Sequence, residues 1–482
     1  MTDWIFSNNT VIADSILNAR KAGWKEYQQQ AENRIAMLNG DWLDQEITWI
    51  RQLVDKDAWD QIYRNKYAFH TSINPMRDII TKVAKLYLKS PQRQFLLDGV
   101  VDDTYELVKE EFTSRLNQIM HSALQFTLSC GGCVIRPILD DRGWYFQILT
   151  PDMFTPFVND DRPDELTGLQ YTYYSRDSQN QLESKTYLIK IDGREPVYEV
   201  LDSKGNLIEQ FNGDEYPFID QDGEPYLPFA LARIDNDPNE LLNKAIGLDL
   251  YYSTLLCGSY SVFKEWLIRQ QSHKQWILTG PGVEKLGNSV LDPSIPVVLP
   301  TASAEEIDVK LLDLTTDPSR FDNAIDKEFE REAGKRGYML SDFVSSAQKQ
   351  SADALTIQNE ARDEYLESLC ISFTETETCL ANIMRNIYNS YSNNNNDINE
   401  EAIFNIVYSK NKNSNLLTHF DNYIKMYETG LISKTDILLL YDPNLSATEA
   451  EDIITNNELL LAGMEGDKND EEKTGTEAGT EE

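Results

Sequence analysis

Between Asn239 and Tyr365 the chain sets long helical stretches around a short strand-bearing insert, and this stretch constrains the architecture more than any other. Apolar residues return at helical spacing from Leu241 and Leu242 through Ala245, Leu248, Tyr251, Leu255, Tyr260 and Phe263 to Trp266 and Leu267. Asp237 is placed to cap this helix, Pro238 suits its first position, and Glu240 lies near its positive end. The pattern runs for about thirty residues, or about 45 Å at the usual rise, which is long for a helix inside a compact globule. It closes on a polar, basic cluster of Arg269, Gln270, Gln271, Ser272, His273 and Lys274. Trp276-Ile277-Leu278, Val297-Val298-Leu299 and the alternating Ile307 to Leu314 then read as strands separated by Gly280-Pro281-Gly282, Pro293, Pro296 and Pro300. A second helix follows Asp317-Pro318-Ser319, with Phe321, Ile325 and Phe329 on its apolar face, and stops at Gly334. Residues 335–350, with glycine, serine and basic side chains, read as a loop. Ser351 is placed to cap a third helix running to about Tyr391.

This order of elements resembles the phage portal proteins, the head-to-tail connectors of tailed double-stranded DNA phages. No short catalytic motif carries the likeness. It rests on two helices flanking a small strand-bearing unit, then a loop, then a long helix opening on Ser351-Ala352-Asp353-Ala354-Leu355. The resemblance implies an α+β portal fold assembled as a ring of twelve copies. The expected parts are a wing over 1–238, a stem helix over 239–273, a clip over 274–317 and a second stem helix over 318–334. A tunnel loop over 335–350 follows, then a long helix and a strand returning to the wing over 351–412, a crown over 413–462 and an acidic tail over 463–482. In that reading Lys335, Arg336, Tyr338, Ser346, Gln348 and Lys349 face DNA from the tunnel loop. Arg269, His273 and Lys274 mark the junction of stem and clip. The resemblance implies passage of double-stranded DNA for packaging and ejection, and docking of the terminase large subunit and of a head-tail adaptor. It also implies contacts with the major capsid protein and a scaffold, and a place at the capsid vertex of a virion assembled in the host cytoplasm. No cofactor, metal or membrane enters this reading. The alternative kept beside it is a non-enzymatic adaptor or scaffold whose long helices form a bundle.

Upstream, Ile12 to Tyr27 is amphipathic and Asn39-Gly40-Asp41-Trp42 reads as a turn. Asn74 and Pro75 open a helix expected to reach Leu88. Arg77, Lys82, Lys85, Lys89 and Arg93 form either a DNA-facing stripe or a solvated face. Apolar spacing predicts one helix over 103–130, ending at Cys130-Gly131-Gly132-Cys133. That Cys-x-x-Cys admits a metal or redox reading, and equally a helix-to-strand turn built from small residues. Strands are expected at Val134–Pro137, Trp144–Leu149, Leu169–Ser175, Lys185–Ile191, Val197–Leu201 and Leu207–Phe211, with turns at the Asp/Gly pairs between them. Asp160, Asp161, Asp164 and Glu165 are read as a solvated loop in preference to catalytic carboxylates. Ile403 to Tyr408 reads as a strand, and Leu416–Tyr427, Ser433–Tyr441 and a segment capped by Ser446 read as short helices. The acidic tail from Gly463 is expected to be disordered.

Charge weighs against nucleic-acid binding: the net charge is −36, and phosphate contacts need Lys and Arg. A conduit through which DNA slides has no use for a tight grip, and acidic walls suit it. Five cysteines make an odd set in 482 residues, which speaks against a disulfide framework. Met1-Thr2-Asp3-Trp4 does not start a basic region followed by an apolar run, so no secretory signal is expected. A phosphate-binding Gly-rich loop and a Gly-x-Ser-x-Gly elbow are missing, and the four His are scattered. Nothing in the residues recommends an enzyme.

Overall fold

The computed structural model describes residues 23–64, 69, 73–159, 161–176, 182–192, 195–234, 238–272, 275–279, 297–299, 308–312, 317–340, 343, 352–392, 397–408, 427, 433–436, 450 and 453–455. The chain divides into two compact units, one of Met1–Gln350 with Glu360–Ser409, the other of Ser351–Asn359 with Lys410–Glu482. Helix and sheet are mixed, an α+β arrangement. No described helix is long and apolar enough to cross a membrane.

The first described element of the first unit is helix α1 (23–39), which ends at Gly40 in the left-handed region (φ 89°). Helices α2 (Leu43–Leu53), α3 (Lys56–Arg64) and α4 (Pro75–Val83) follow. The expected start of α4 holds: Asn74 Oδ1 accepts from the Arg77 N–H at 3.0 Å and Pro75 fills the first turn. It ends five residues short of Leu88, because Ala84 turns out of the helix and the Lys85 N–H bonds the Val83 carbonyl. That turn buries Tyr87.

The single helix expected over 103–130 is two, α5 (Asp103–Thr113) and α6 (Leu116–Cys130). At the break, Thr113 and Ser114 hydroxyls donate to the Lys109 and Glu111 carbonyls, the local competition that weakens helices. Asp102 caps α5 through the Tyr105 N–H at 2.8 Å.

Strands β1 (Gln92–Leu97) and β2 (Val100–Val101) precede α5, and β3 (Gly132–Asp140) and β4 (Gly143–Leu149) follow α6. An antiparallel meander comes next: β5 (Phe154–Val158), β6 (Leu166–Arg176), β7 (Leu182–Asp192), β8 (Glu195–Leu201) and β9 (Leu207–Asn212), in that spatial order. Its alternating tyrosines and valines bury Tyr171, Tyr198 and Val200 on one face over Phe229 and Leu241. The strands expected between Val134 and Phe211 all fall inside these ranges. β10 (Ala230–Arg233) completes a sheet of order β10-β3-β4.

Helix α7 (Leu248–Ser272) begins nine residues later than its local signals predict. Residues 239–247 form turns instead, for two reasons of packing. Gly247 has φ 80°, and a Cβ there would lie 2.1 Å from the Ser129 carbonyl oxygen. Buried Arg34 donates from Nη1 to the Lys244 and Ile246 carbonyls at 3.3 and 2.6 Å, where a helix would have used them internally. β11 (Gln275–Thr279), β12 (Val297–Leu299) and β13 (Asp308–Leu312) form the insert, with β11 parallel to β12 and antiparallel to β13. Helices α8 (Ser319–Gly334) and α9 (Ala352–Ser392) follow; α9 has 41 residues. β14 (Ile403–Val407) pairs antiparallel with β1, so the order of that sheet is β14-β1-β2. The main core gathers α4, α5, α6, β1, β3, α9 and β14 around Phe95, Phe112, Phe373 and Phe404.

In the second unit, Ser433 and Asp436 cap one another: the Asp436 N–H donates to Ser433 Oγ and the Ser433 N–H to Asp436 Oδ2. The expected Ile12 helix start, the Ser351 and Ser446 caps, the helix over Leu416–Met426 and the tail 463–482 lie outside the described residues, as does Asp160.

Candidate functional site

α7 and α8 run antiparallel, and three contacts fix their register. Lys264 Nζ meets Asp322 at 2.6 Å, Ser253 Oγ donates to Glu328 Oε1 at 2.8 Å, and the Tyr260 and Phe321 rings lie 6.3 Å apart. The helices converge on a charge cluster at the start of α7 and the end of α8. Arg336 Nη2 reaches both oxygens of Asp249 at 3.1 and 3.3 Å. Lys335 Nζ bonds Glu332 at 2.8 Å and Asp249 at 3.4 Å. Burial pushes the Asp249 carboxyl up, but Arg336 and the Leu250 N–H outweigh it and hold the group at about 2. Lys335 and Arg336 also lie at the negative end of α8, where cations are favoured.

α8 stops in a Schellman turn. The Tyr338 N–H bonds the Ala333 carbonyl and the Gly337 N–H bonds that of Gly334, both within 3.1 Å, with Gly337 at φ 73°. A Cβ on Gly337 would sit 2.5 Å from the Arg362 main-chain nitrogen, so the turn lies directly on α9. Tyr338 is 2% exposed and its hydroxyl donates to the Lys82 carbonyl at 3.4 Å. Phe343 stands edge-on to Phe329 at 4.8 Å.

This corrects the expected DNA-facing loop at its first residues. Tyr338 is in the core because the Schellman turn folds it back over α8. Lys335 and Arg336 end a helix and are engaged by Glu332 and Asp249. Ser346, Gln348 and Lys349 lie outside the described residues, as do His273 and Lys274. Arg269 is on α7, and its side chain is outside the description.

The supposed basic stripe does not hold together. Arg77 and Lys89 are exposed and Lys82 and Lys85 half-buried, but Arg93 lies on β1 facing inward, 3% exposed. It makes a two-pronged ion pair with Glu377 of α9, Nε to Oε2 at 2.6 Å and Nη2 to Oε1 at 3.0 Å. The Tyr105 hydroxyl donates to the Arg93 carbonyl, and the Tyr87 and Tyr408 hydroxyls meet 3.2 Å apart beside the pair. This network ties the β14-β1 sheet to the middle of α9, and the four-residue steps Lys85–Lys89–Arg93 hid it.

Cys130 and Cys133 sit in a helix-to-strand turn of small residues. Gly131 caps α6 at φ 82°, and a Cβ on it would come within 2.0 Å of the Asn243 carbonyl oxygen. Burial pushes the two thiols up to about 11 and about 12, which keeps them protonated and weakly nucleophilic. Among the described residues no group of three or more His, Cys, Asp or Glu is placed to hold a metal, and Asp161, Asp164 and Glu165 lie in the loop before β6. A cleft of about 440 Å³ between α1, α2 and α7 carries one carboxylate, Asp44, and no His, Cys, Lys or Arg, so it offers no acid–base pair with an imidazole, thiol or amine.

No protein-family model matches the chain, and no curated protein matches it.

Proposed function

We propose that the chain is a phage portal protein: a non-enzymatic subunit of a ring at one capsid vertex, through which double-stranded DNA is packaged and ejected. The observation that carries the proposal is the α7–α8 hairpin, with the three-stranded sheet β12-β11-β13 between its helices and a Schellman turn leading towards the 41-residue α9. Beyond α9 the chain returns as β14 to pair with β1. That succession is the one the portal likeness requires of stem, clip, long helix and wing.

The physics of a conduit agrees with it. Cross-helix ion pairs at Lys264–Asp322 and Asp249–Arg336 brace the hairpin at both ends. The net charge of −36, repeated in every copy, opposes tight phosphate binding and lets DNA slide. In this proposal α7 and α8 are stem, β11 to β13 the clip that meets the terminase motor and the head-tail adaptor, and the β5–β9 meander part of the wing. Ser346, Gln348 and Lys349 remain the residues proposed to touch DNA; Tyr338 does not.

Electron microscopy of the purified full chain, averaged over end-on views, tests the proposal. Rings with a central hole on the order of 20–40 Å, enough for duplex DNA, are expected. Closed dimers, or rings without such a hole, would overturn it.

A further inference from the structure

The meander β5–β9 has two edges, and they are built differently. On one edge, β5 carries Pro156, which has no N–H to offer. Proline is what natural sheets use to refuse a further strand. On the other edge, β9 reads Leu207-Ile208-Glu209-Gln210-Phe211-Asn212, with no proline and no lysine; its register shifts past Ile208, and Glu209–Asn212 pair regularly with Val197–Val200. Every residue of β9 except Phe211 is exposed, Leu207 at 51% and Ile208 at 46%. In the sheet its ladder runs to β8 alone, and the chain passes directly into the 3-10 turn Gly213–Glu215, which Asn212 caps. Among the described residues no strand pairs with the outer side of β9, so its outward N–H and C=O groups before Asn212 present the arrangement that accepts an added strand.

The surroundings of this edge say what kind of strand fits. Among the described residues of β8, β9 and their flanking turns, Glu195, Glu199, Asp202, Glu209 and Glu215 stand against one cation, Lys204; Arg194, in the turn before β8, lies outside the described residues. Gln210 already binds Glu199, at 3.1 Å, so the outer face next to the open edge offers an amide and a carboxylate side by side. A second copy of so acidic an edge would bring like charges together, with Glu209 facing its counterpart or a near neighbour. A basic strand with alternate apolar residues meets both the acids and the exposed Leu207 and Ile208.

We propose that β9 is a docking edge that receives an extended, basic segment of another protein by strand addition, main chain to main chain, with lysine or arginine side chains against Glu209. The proposal stands apart from the portal reading, since it rests only on the edge of one sheet within one chain.

The test uses the purified full chain and two labelled synthetic peptides of equal length and charge, one alternating lysine with valine and one alternating lysine with proline. Fluorescence anisotropy is expected to show saturable binding of the lysine–valine peptide. Binding of the proline peptide should be at least about tenfold weaker, because proline cannot complete the ladder. The variant Ile208→Lys/Glu209→Lys, which blunts the edge at exposed positions, should lose the lysine–valine peptide, while Thr155→Lys on the β5 edge should keep it. Hydrogen exchange on the unmodified chain should show slowed amides within Leu207–Asn212 when the peptide is bound, and this readout stands even if a variant misfolds. Equal binding of both peptides would leave only charge attraction and overturn the proposal. So would undiminished binding by a folded edge variant, unchanged exchange in β9, or no binding by the unmodified chain. Self-association that the edge variant abolishes, without peptide binding, would assign the edge to a second copy and likewise overturn it.

Discussion

Replacing Glu377 by Gln should be among the most damaging single-atom-scale changes to the first unit. The Arg93 and Glu377 side chains are 2% and 0% exposed, and each oxygen of the carboxylate takes one N–H of the guanidinium. An amide keeps the shape but offers one acceptor and no charge, so the guanidinium stays buried without a counterion. Breaking such a pair from one side costs about 3–5 kcal/mol, because the desolvation of the surviving charge is no longer offset. A folded domain has only about 5–15 kcal/mol in hand. Urea unfolding followed by tryptophan fluorescence, at fixed protein concentration, reads the loss directly. With a slope of about 3 kcal/mol per molar, the midpoint should fall by about 1 M or more. The double variant Arg93→Leu/Glu377→Leu removes both charges and should recover most of that loss, since an apolar pair of similar volume avoids the desolvation altogether. A Glu377→Gln cost below about 1 kcal/mol, the range of exposed pairs, would refute the claim that this contact is buried and locks β1 to α9.

Three further outcomes are expected. Gly337→Ala puts a Cβ against the Arg362 main chain at a left-handed φ, so it should destabilise by at least about 1–2 kcal/mol in thermal melts, whereas Gly205→Ala, also left-handed but with open space around it, should cost only the backbone strain. The Asp249 carboxyl is held below its unfolded value of about 4, so its pairing with Arg336 favours the fold above that pH and is lost as pH falls towards about 2; unfolding of Asp249→Asn should show a shallower acid limb than the unmodified chain, and an identical limb would refute the pairing. Cys130 and Cys133, with thiols pushed up by burial, should resist a thiol-specific disulfide reagent at neutral pH until the chain unfolds; rapid reaction in the native state would contradict their burial.

What could be read from residues alone was whatever depends on near neighbours. Period-two alternation and Asp/Gly turns located β6 to β9 to within a few residues, because each strand of a meander pairs with the next and its signal is local. The cap of α4 was local in the same way, an asparagine and a proline acting on the next turn. The start of α7 was not. Asp237, Pro238 and Glu240 are sound helix signals, but Gly247 answers to Ser129 and the carbonyls of Lys244 and Ile246 to Arg34, over a hundred residues away in sequence. Arg93 failed for a related reason: its four-residue step from Lys89 suits a helix face, and only the pairing of β1 with β14 turns it inward to Glu377. Tyr338 lies between these cases. A glycine straight after Lys335-Arg336 in the last turn of a helix is a Schellman signal in the sequence itself, and the motif brings the residue after the glycine back onto the helix. Read that way, the stretch up to Tyr338 is the end of α8, with its cations serving Asp249 and Glu332, and any reach towards DNA belongs to residues beyond it.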